Sequence, residues 1–126
     1  EGFDCSFYFQ YDKNNNINYR HCSFSGGSHY SEFKYSDIEN PLKKLKLIPW
    51  QLGFEESFLL SANMPTEISI SGYNYNCETP PCTDPSYSGK FLYQISTNAK
   101  GYPVSVVETN NANSQAITYR YEYVSE

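Results

Sequence analysis

Along residues 101–124 polar and apolar positions alternate with a period of two. Tyr102, Val104 and Val106 share one side of an extended chain. Ile117, Tyr119, Tyr121 and Tyr123 share one side of another, with Thr118, Arg120 and Glu122 between them. Successive side chains of a strand point to opposite faces, so the pattern predicts two half-buried strands. The run Asn110-Asn111-Ala112-Asn113 has turn chemistry. A four-residue loop there sets Thr109 opposite Ser114, Val106 opposite Ile117, Val104 opposite Tyr119 and Tyr102 opposite Tyr121. Pro103 has no N–H for a ladder, which confines it to an edge, a bulge or the start of a strand.

The same period recurs upstream. Phe7, Phe9 and Tyr11 alternate over 4–12, Lys13-Asn14-Asn15 reads as a turn, and a second strand is expected over 16–24. Gly26-Gly27 marks the next turn, and a third strand over about 28–36 carries Phe33 and Tyr35. Ile68 and Ile70 define a fourth strand over 66–76, and Phe91, Tyr93 and Ile95 a fifth. Between the third and fourth the period changes. Asn40-Pro41 has the form of an N-cap followed by proline at the first helical position, and Trp50, Phe54 and Phe58 recur at i, i+4 and i+8. Pro49 divides that segment into two short helices or a turn and a helix. Trp50 is read as an anchor between this insert and the sheet, and Lys43, Lys44 and Lys46 as a solvated face.

Internal similarity turns the strands into a plan. Phe9–Ile17 resembles Tyr93–Tyr102, and Glu32-Phe33-Lys34-Tyr35 resembles Thr118-Tyr119-Arg120-Tyr121. The chain is therefore expected to be mainly β: an antiparallel meander of about seven strands, forming a curved sheet or partly closed barrel, with a short helical insert at about 41–61. A single domain over residues 1–126 is expected, with 7–36 and 91–124 as similar halves joined by the helical insert (41–64) and the fourth strand.

Composition adds the setting. A net charge of −5 argues against nucleic acid or an anionic membrane surface as the partner. With 13 tyrosines and 8 phenylalanines, the strands suit one dry and one wet face, since a tyrosine ring can be buried with its hydroxyl in water. No apolar run is long enough for a membrane-spanning helix. Four cysteines, Cys5, Cys22, Cys77 and Cys82, in a small β-rich chain suggest an oxidising compartment. Three pairings are open. Cys5–Cys22 and Cys77–Cys82 are favoured, because pairing Asp12 with Asn16 brings the first two within a residue of facing each other. Their spacings lack the paired Cys-x2-Cys of a zinc site.

At several of these residues the chain resembles a known family. Tyr11-Asp12-Lys13-Asn14-Asn15-Asn16-Ile17 is similar to a YD-x-x-G-N-I strand–turn–strand unit, with Asn15-Asn16 in place of the usual Gly-Asn. Tyr35–Leu42 resembles a Y-x-D-x-x-N-P step, and Ser61–Ile68 and Lys100–Val104 complete the set. Together they resemble secreted or lipid-anchored domains of unknown function, with a porin-like β fold, from Gram-negative gut-type bacteria. The resemblance implies a cell-envelope location: periplasmic, anchored to the outer membrane or extracellular. It implies no catalytic residues. Strands polar at alternate residues argue against a pore, which needs an outward apolar band.

No motif for catalysis or a cofactor stands out. His21 and His29 lie near the two ends of one hairpin, where they would bind a metal if brought together, but no carboxylate accompanies them at ligand spacing; exposed strand histidines are the favoured reading. There is no Gly-x-Ser-x-Gly elbow. Glu55, Glu56, Glu67, Asp84 and Glu108 offer carboxylates, but nothing selects a pair for glycoside hydrolysis. Aromatic surface is the stronger feature. Tyr73, Tyr75 and Tyr87 flank the Cys77–Cys82 loop as a candidate binding surface, and Tyr8, Tyr19 and Tyr30 are placed opposite the packed face. The favoured reading is a non-enzymatic envelope domain that binds or supports a glycan or a protein. The alternative is a carrier of a small apolar ligand, a half-barrel closed by the helical insert, and a hydrolase ranks third. For the disulfides, intact mass after alkylation without reductant should show no added label, and four after reduction; four labels without reductant would overturn both the pairing and the compartment.

Overall fold

A computed structural model of the chain describes residues 6–44, 61–75 and 87–124. Seven strands form one sheet: β1 (Ser6–Tyr11), β2 (Ile17–Phe24), β3 (Gly27–Glu39), β4 (Asn63–Asn74), β5 (Tyr87–Thr97), β6 (Pro103–Asn110) and β7 (Ala116–Arg120). Each pairs antiparallel with the next in sequence, so the sheet is a simple meander. It does not close into a barrel: β1 and β7 are its two edges. β4 begins at Asn63, three residues before the expected start at 66, so Met64-Pro65 lies inside the strand. Helical structure among the described residues is one 3-10 turn, Pro41–Lys44. It has the cap expected, with Asn40 Oδ1 accepting the Leu42 N–H at 2.9 Å. The rest of the expected insert, with Trp50, Phe54 and Phe58, lies outside the described residues, as do Cys5, Cys77 and Cys82. Cys22, opposite Phe7 on β1, is disulfide-bonded, and the expected pairings Cys5–Cys22 and Cys77–Cys82 each involve residues outside the described ones.

The two faces of the sheet differ in the way period-2 patterning requires. On one, Phe33 opposes Ile68, which opposes Phe91, and Ile95 opposes Val106. Phe33, Ile68, Tyr93 and Val106 are buried there with Ile17 and Met64, and Phe9, Tyr35, Ile38, Ile70 and Tyr121 pack against them. The other face carries Tyr8, Tyr19, Tyr30, Lys34, Glu67 and Lys90 at alternate positions.

The two halves repeat more closely than their sequences do. In the β1–β2 turn Asp12 Oδ1 accepts the N–H groups of Asn14 (2.8 Å) and Asn16 (3.0 Å), and the Asp12 N–H bonds the Asn16 carbonyl at 2.8 Å. In the β5–β6 turn Asn98 Oδ1 accepts those of Lys100 (2.9 Å) and Tyr102 (3.0 Å), and the Asn98 N–H bonds the Tyr102 carbonyl at 2.9 Å. Asn15 and Gly101, each three residues on, are both left-handed, with φ of 63° and 80°. This is a region that glycine and asparagine tolerate, which explains the exchange of one for the other. A bulge precedes each turn, at Gln10/Tyr11 and at Ser96/Thr97. Asp12 is thus the equivalent of Asn98, and Ile17 of Pro103, which starts β6.

The second hairpin departs from the expected register. Thr109 faces Ala116, and Val106 faces Tyr119, not Ile117. The four-residue loop is 111–114, one residue later than expected. Asn110 still closes the ladder, its N–H bonding the Gln115 carbonyl at 3.0 Å, while Asn111 is drawn to β5 by its N–H to the Lys90 carbonyl (3.0 Å) and by the Lys90 N–H to its Oδ1 (3.1 Å). Ser114 takes the left-handed position, φ 55°. Moving the loop by one residue moves the pairing by two, so every side chain keeps its expected face. Because this loop is longer than the Ser25-Gly26 turn, Phe33 and Tyr35 correspond to Tyr121 and Tyr123, not to Tyr119 and Tyr121. The Tyr35 hydroxyl donates to the Ile17 carbonyl at 2.6 Å, and the Tyr123 hydroxyl to the Pro103 carbonyl at 2.7 Å.

In the N-terminal half this arrangement sits in a buried polar cluster. The Tyr35 hydroxyl also meets Ser61 Oγ at 2.8 Å, and Ser61 Oγ accepts the Ile17 N–H at 3.0 Å. Asn16 bonds Asn63 twice, Nδ2 to Oδ1 at 3.0 Å and Oδ1 from the Asn63 N–H at 2.8 Å. Asn40 Nδ2 reaches the Ser61 carbonyl at 3.0 Å. Asn16, Asn40 and Ser61 are fully enclosed, and each finds the partners that burial demands. Burial pushes the Tyr35 hydroxyl far above its usual pKa, outweighing the Ser61 hydrogen bond, with the Asp12 charge pushing the same way.

At Asp12, burial raises the carboxyl pKa, but hydrogen bonds from the Asn16 backbone and side chain and the Asn14 backbone, with the Lys13 charge, outweigh it and leave it below its ordinary 3.8. A depressed folded-state pKa contributes stability in full above the unfolded value, and that contribution is lost as pH falls through the folded value. Asp12→Ala is therefore expected to cost about 1–2 kcal/mol in urea unfolding at pH 7. Asp12→Asn, which installs the residue of the other turn, is expected to cost less and to flatten the loss of stability below pH 4. An alanine variant as stable as the parent would contradict the role given to this turn.

Candidate binding face

The face turned away from the core brings together four tyrosines from four consecutive strands. Tyr8 of β1 pairs with His21 of β2, which pairs with Tyr30 of β3. Tyr19 sits two residues before His21, and Tyr73 of β4 is diagonal to Tyr30. The ring centroids step across the sheet at 6.4 Å from Tyr8 to Tyr19, 6.2 Å from Tyr19 to Tyr30 and 5.5 Å from Tyr30 to Tyr73. His21 stacks on Tyr30 at 4.5 Å with the rings within 7° of parallel, filling the bend of the row. Alternation alone places these rings on one face; register makes them neighbours.

Tyr19, Tyr30 and Tyr73 line an open groove of about 400 Å³ with Glu32, Ser69 and Ser71. Burial, then the neighbouring Tyr30, Glu32 and Tyr8, push the Tyr19 hydroxyl above its usual pKa, so at neutral pH it remains a hydrogen-bond donor. One end of the groove is marked by a charge cluster. Glu67 Oε1 lies 3.0 Å from Lys34 Nζ and 3.1 Å from Lys90 Nζ, and hydrogen bonds from Lys34 and then Lys90 hold its carboxyl below the usual range. The groove thus combines stacking surfaces, hydroxyls and one carboxylate, with its nearby cations paired.

The three tyrosines expected to form one surface are divided. Tyr73 joins the row. Tyr75 is exposed at the end of the β3–β4 hairpin, its N–H bonding the Gly26 carbonyl at 3.1 Å. Tyr87 opposes Gly72 and lies on the core side, 5.3 Å from the His29 ring, with its hydroxyl 3.5 Å from His29 Nε2. The two histidines are also separated: His21 opposes Tyr30 on the aromatic face, while His29 opposes Cys22 on the other face, so they cannot share a metal. Both are half-buried and ring-stacked rather than exposed. No group of three metal-ligating side chains occurs among the described residues. Glu67 and Glu108 lie on opposite faces, and Glu55, Glu56 and Asp84 are outside the described residues. Glu32, Ser69 and Ser71 were not singled out in the sequence, because an exposed serine or glutamate in a strand carries no signal until its cross-strand neighbours are known.

The half-barrel and helix expected of an apolar-ligand carrier would involve residues 45–60, outside the described residues. No helix among the described residues is long and apolar enough to cross a membrane. No protein-family model, curated protein or solved structure matches the chain.

Gly72 has a role on the core side. A Cβ there would run into the Tyr87 ring. Gly72→Ala is expected to displace that ring from His29; because the Cβ meets the far end of a side chain that is 43% exposed and can swing aside, the cost is expected to stay below about 1 kcal/mol. Equilibrium unfolding gives the cost and the Tyr87 ring NMR signals report the displacement; an unchanged ring environment would refute the close packing.

Proposed function

We propose that this chain is a non-enzymatic glycan-binding β domain of the bacterial cell envelope, and that it binds through the Tyr8–Tyr19–Tyr30–Tyr73 face. The observation that carries the reading is the row of tyrosine rings on the face that the core does not use, beside a groove bearing Glu32, Ser69 and Ser71. Sugar rings present C–H faces that stack on aromatic rings, and hydroxyls that suit carboxylate and serine partners. The groove's carboxylate, its paired lysines and the net charge of −5 favour a neutral glycan over an acidic one. The envelope location rests on the cysteine content and on the YD-type resemblance, and the pairings Cys5–Cys22 and Cys77–Cys82 belong to the same proposal.

Titration calorimetry against soluble neutral polysaccharides (a β-glucan, an α-glucan and a mannan) tests the reading. Binding to one class is expected, with Tyr30→Ala and Tyr73→Ala each weakening it by about tenfold, a loss of about 1.4 kcal/mol. Both sites lie off the core, so folding should survive. Absence of binding to every class, or binding that both variants retain, would reject it.

A further inference from the structure

Among the described residues, the internal repeat has a filled copy and an open one. In the filled copy, Ser61–Asn63 lies against Asn16, Ile17 and Tyr35 and leads into β4, which pairs along the outer edge of β3. The equivalents of Asn16, Ile17 and Tyr35 are Tyr102, Pro103 and Tyr123, and β7 is the equivalent of β3. At that place there is an open groove of about 440 Å³, lined by Asn98, Ala99, Lys100, Tyr102, Tyr123 and Val124. Among the described residues no strand lies along the outer edge of β7. Apolar side chains on and just beyond β7 are left in solvent, Ile117 at 53% and Tyr123 at 46% exposure.

We infer that this groove and the β7 edge dock an extended peptide segment of a partner polypeptide, which adds as an eighth, antiparallel strand. The filled copy specifies its chemistry. A hydroxyl residue takes the place of Ser61, meeting the Tyr123 hydroxyl, and a strand with alternating β-branched residues follows. Transferring the β3–β4 register sets the counterpart of Ile68 opposite Tyr121, that of Ile70 opposite Tyr119 and that of Gly72 opposite Ile117. The copies differ at one point. Tyr102 stands where Asn16 does and packs 5.5 Å from Tyr123, so an apolar residue in place of Asn63 suits this groove better than a carboxamide. Main-chain pairing supplies affinity in such strand addition, and alternate side chains supply selectivity.

The probe is a synthetic peptide with the sequence of residues 61–72, added to the intact chain and followed by amide NMR shifts. Saturable shifts at Asn98–Tyr102 and along β7 are expected. Replacing serine by alanine in the peptide (Ser61→Ala) should weaken binding about fivefold, and Asn63→Leu in the peptide should tighten it. These peptide changes leave the protein's own fold untouched. No shifts, shifts confined to residues 12–17 and 35, or equal shifts from a scrambled peptide would overturn the proposal. So would light scattering that shows a second copy of the chain occupying the β7 edge without peptide. Shifts confined to the Tyr30 face would also reject it, and the glycan titration remains a separate test of that face.

Discussion

The Tyr35 hydroxyl is the point on which the N-terminal half closes. It donates to the Ile17 carbonyl at 2.6 Å and meets Ser61 Oγ at 2.8 Å, joining β2, β3 and the lead into β4 in one buried contact. A buried hydroxyl is tolerable only when its partners are in place. Around it, Asn16, Asn40 and Asn63 satisfy the remaining backbone groups at the end of the sheet where β3 and β4 are bulged. Directional bonds of this kind fix which strand end meets which. Apolar packing alone is far less particular about position along a strand.

That constraint explains how the sheet divides its labour. The core occupies one face, and the polar cluster secures one end. The aromatic face is the side of the sheet that the core does not use, and the ligand proposed above would meet it there. The proposed glycan site and the proposed strand-docking edge are separate for the same reason: one uses the wet face of β1–β4, the other the unfilled end of the second repeat.

Much of this was legible in the residues. Alternation marked Phe33, Ile68, Tyr93 and Val106 as packed positions, and Lys13-Asn14-Asn15 marked the first of the two turns whose backbone bonds prove equivalent. The register of the last hairpin was not legible, because Asn110 can end a strand or begin a loop. Its contact with Gln115, and the contact of Asn111 with Lys90 on another strand, make the choice. Tyr87 was grouped with Tyr73 because both flank the same loop, yet it packs over Gly72 on the opposite face. The histidines were likewise separated by a single residue of alternation.

By itself the sequence determined the fold class, the alternation of faces within each strand and the chemistry of the first turn. These follow from local rules: the two-residue period of the pleat, and the capacity of Asp and Asn side chains to bond the backbone two and four residues on. Tertiary structure alone decided which tyrosines became neighbours, that Glu32 and two serines stand beside them, and that one repeat is filled by Ser61–Asn63 while, among the described residues, the other is open. Those are relations between residues far apart in the chain. They depend on strand register and loop length, where a shift of one residue in a loop moves a partner by two.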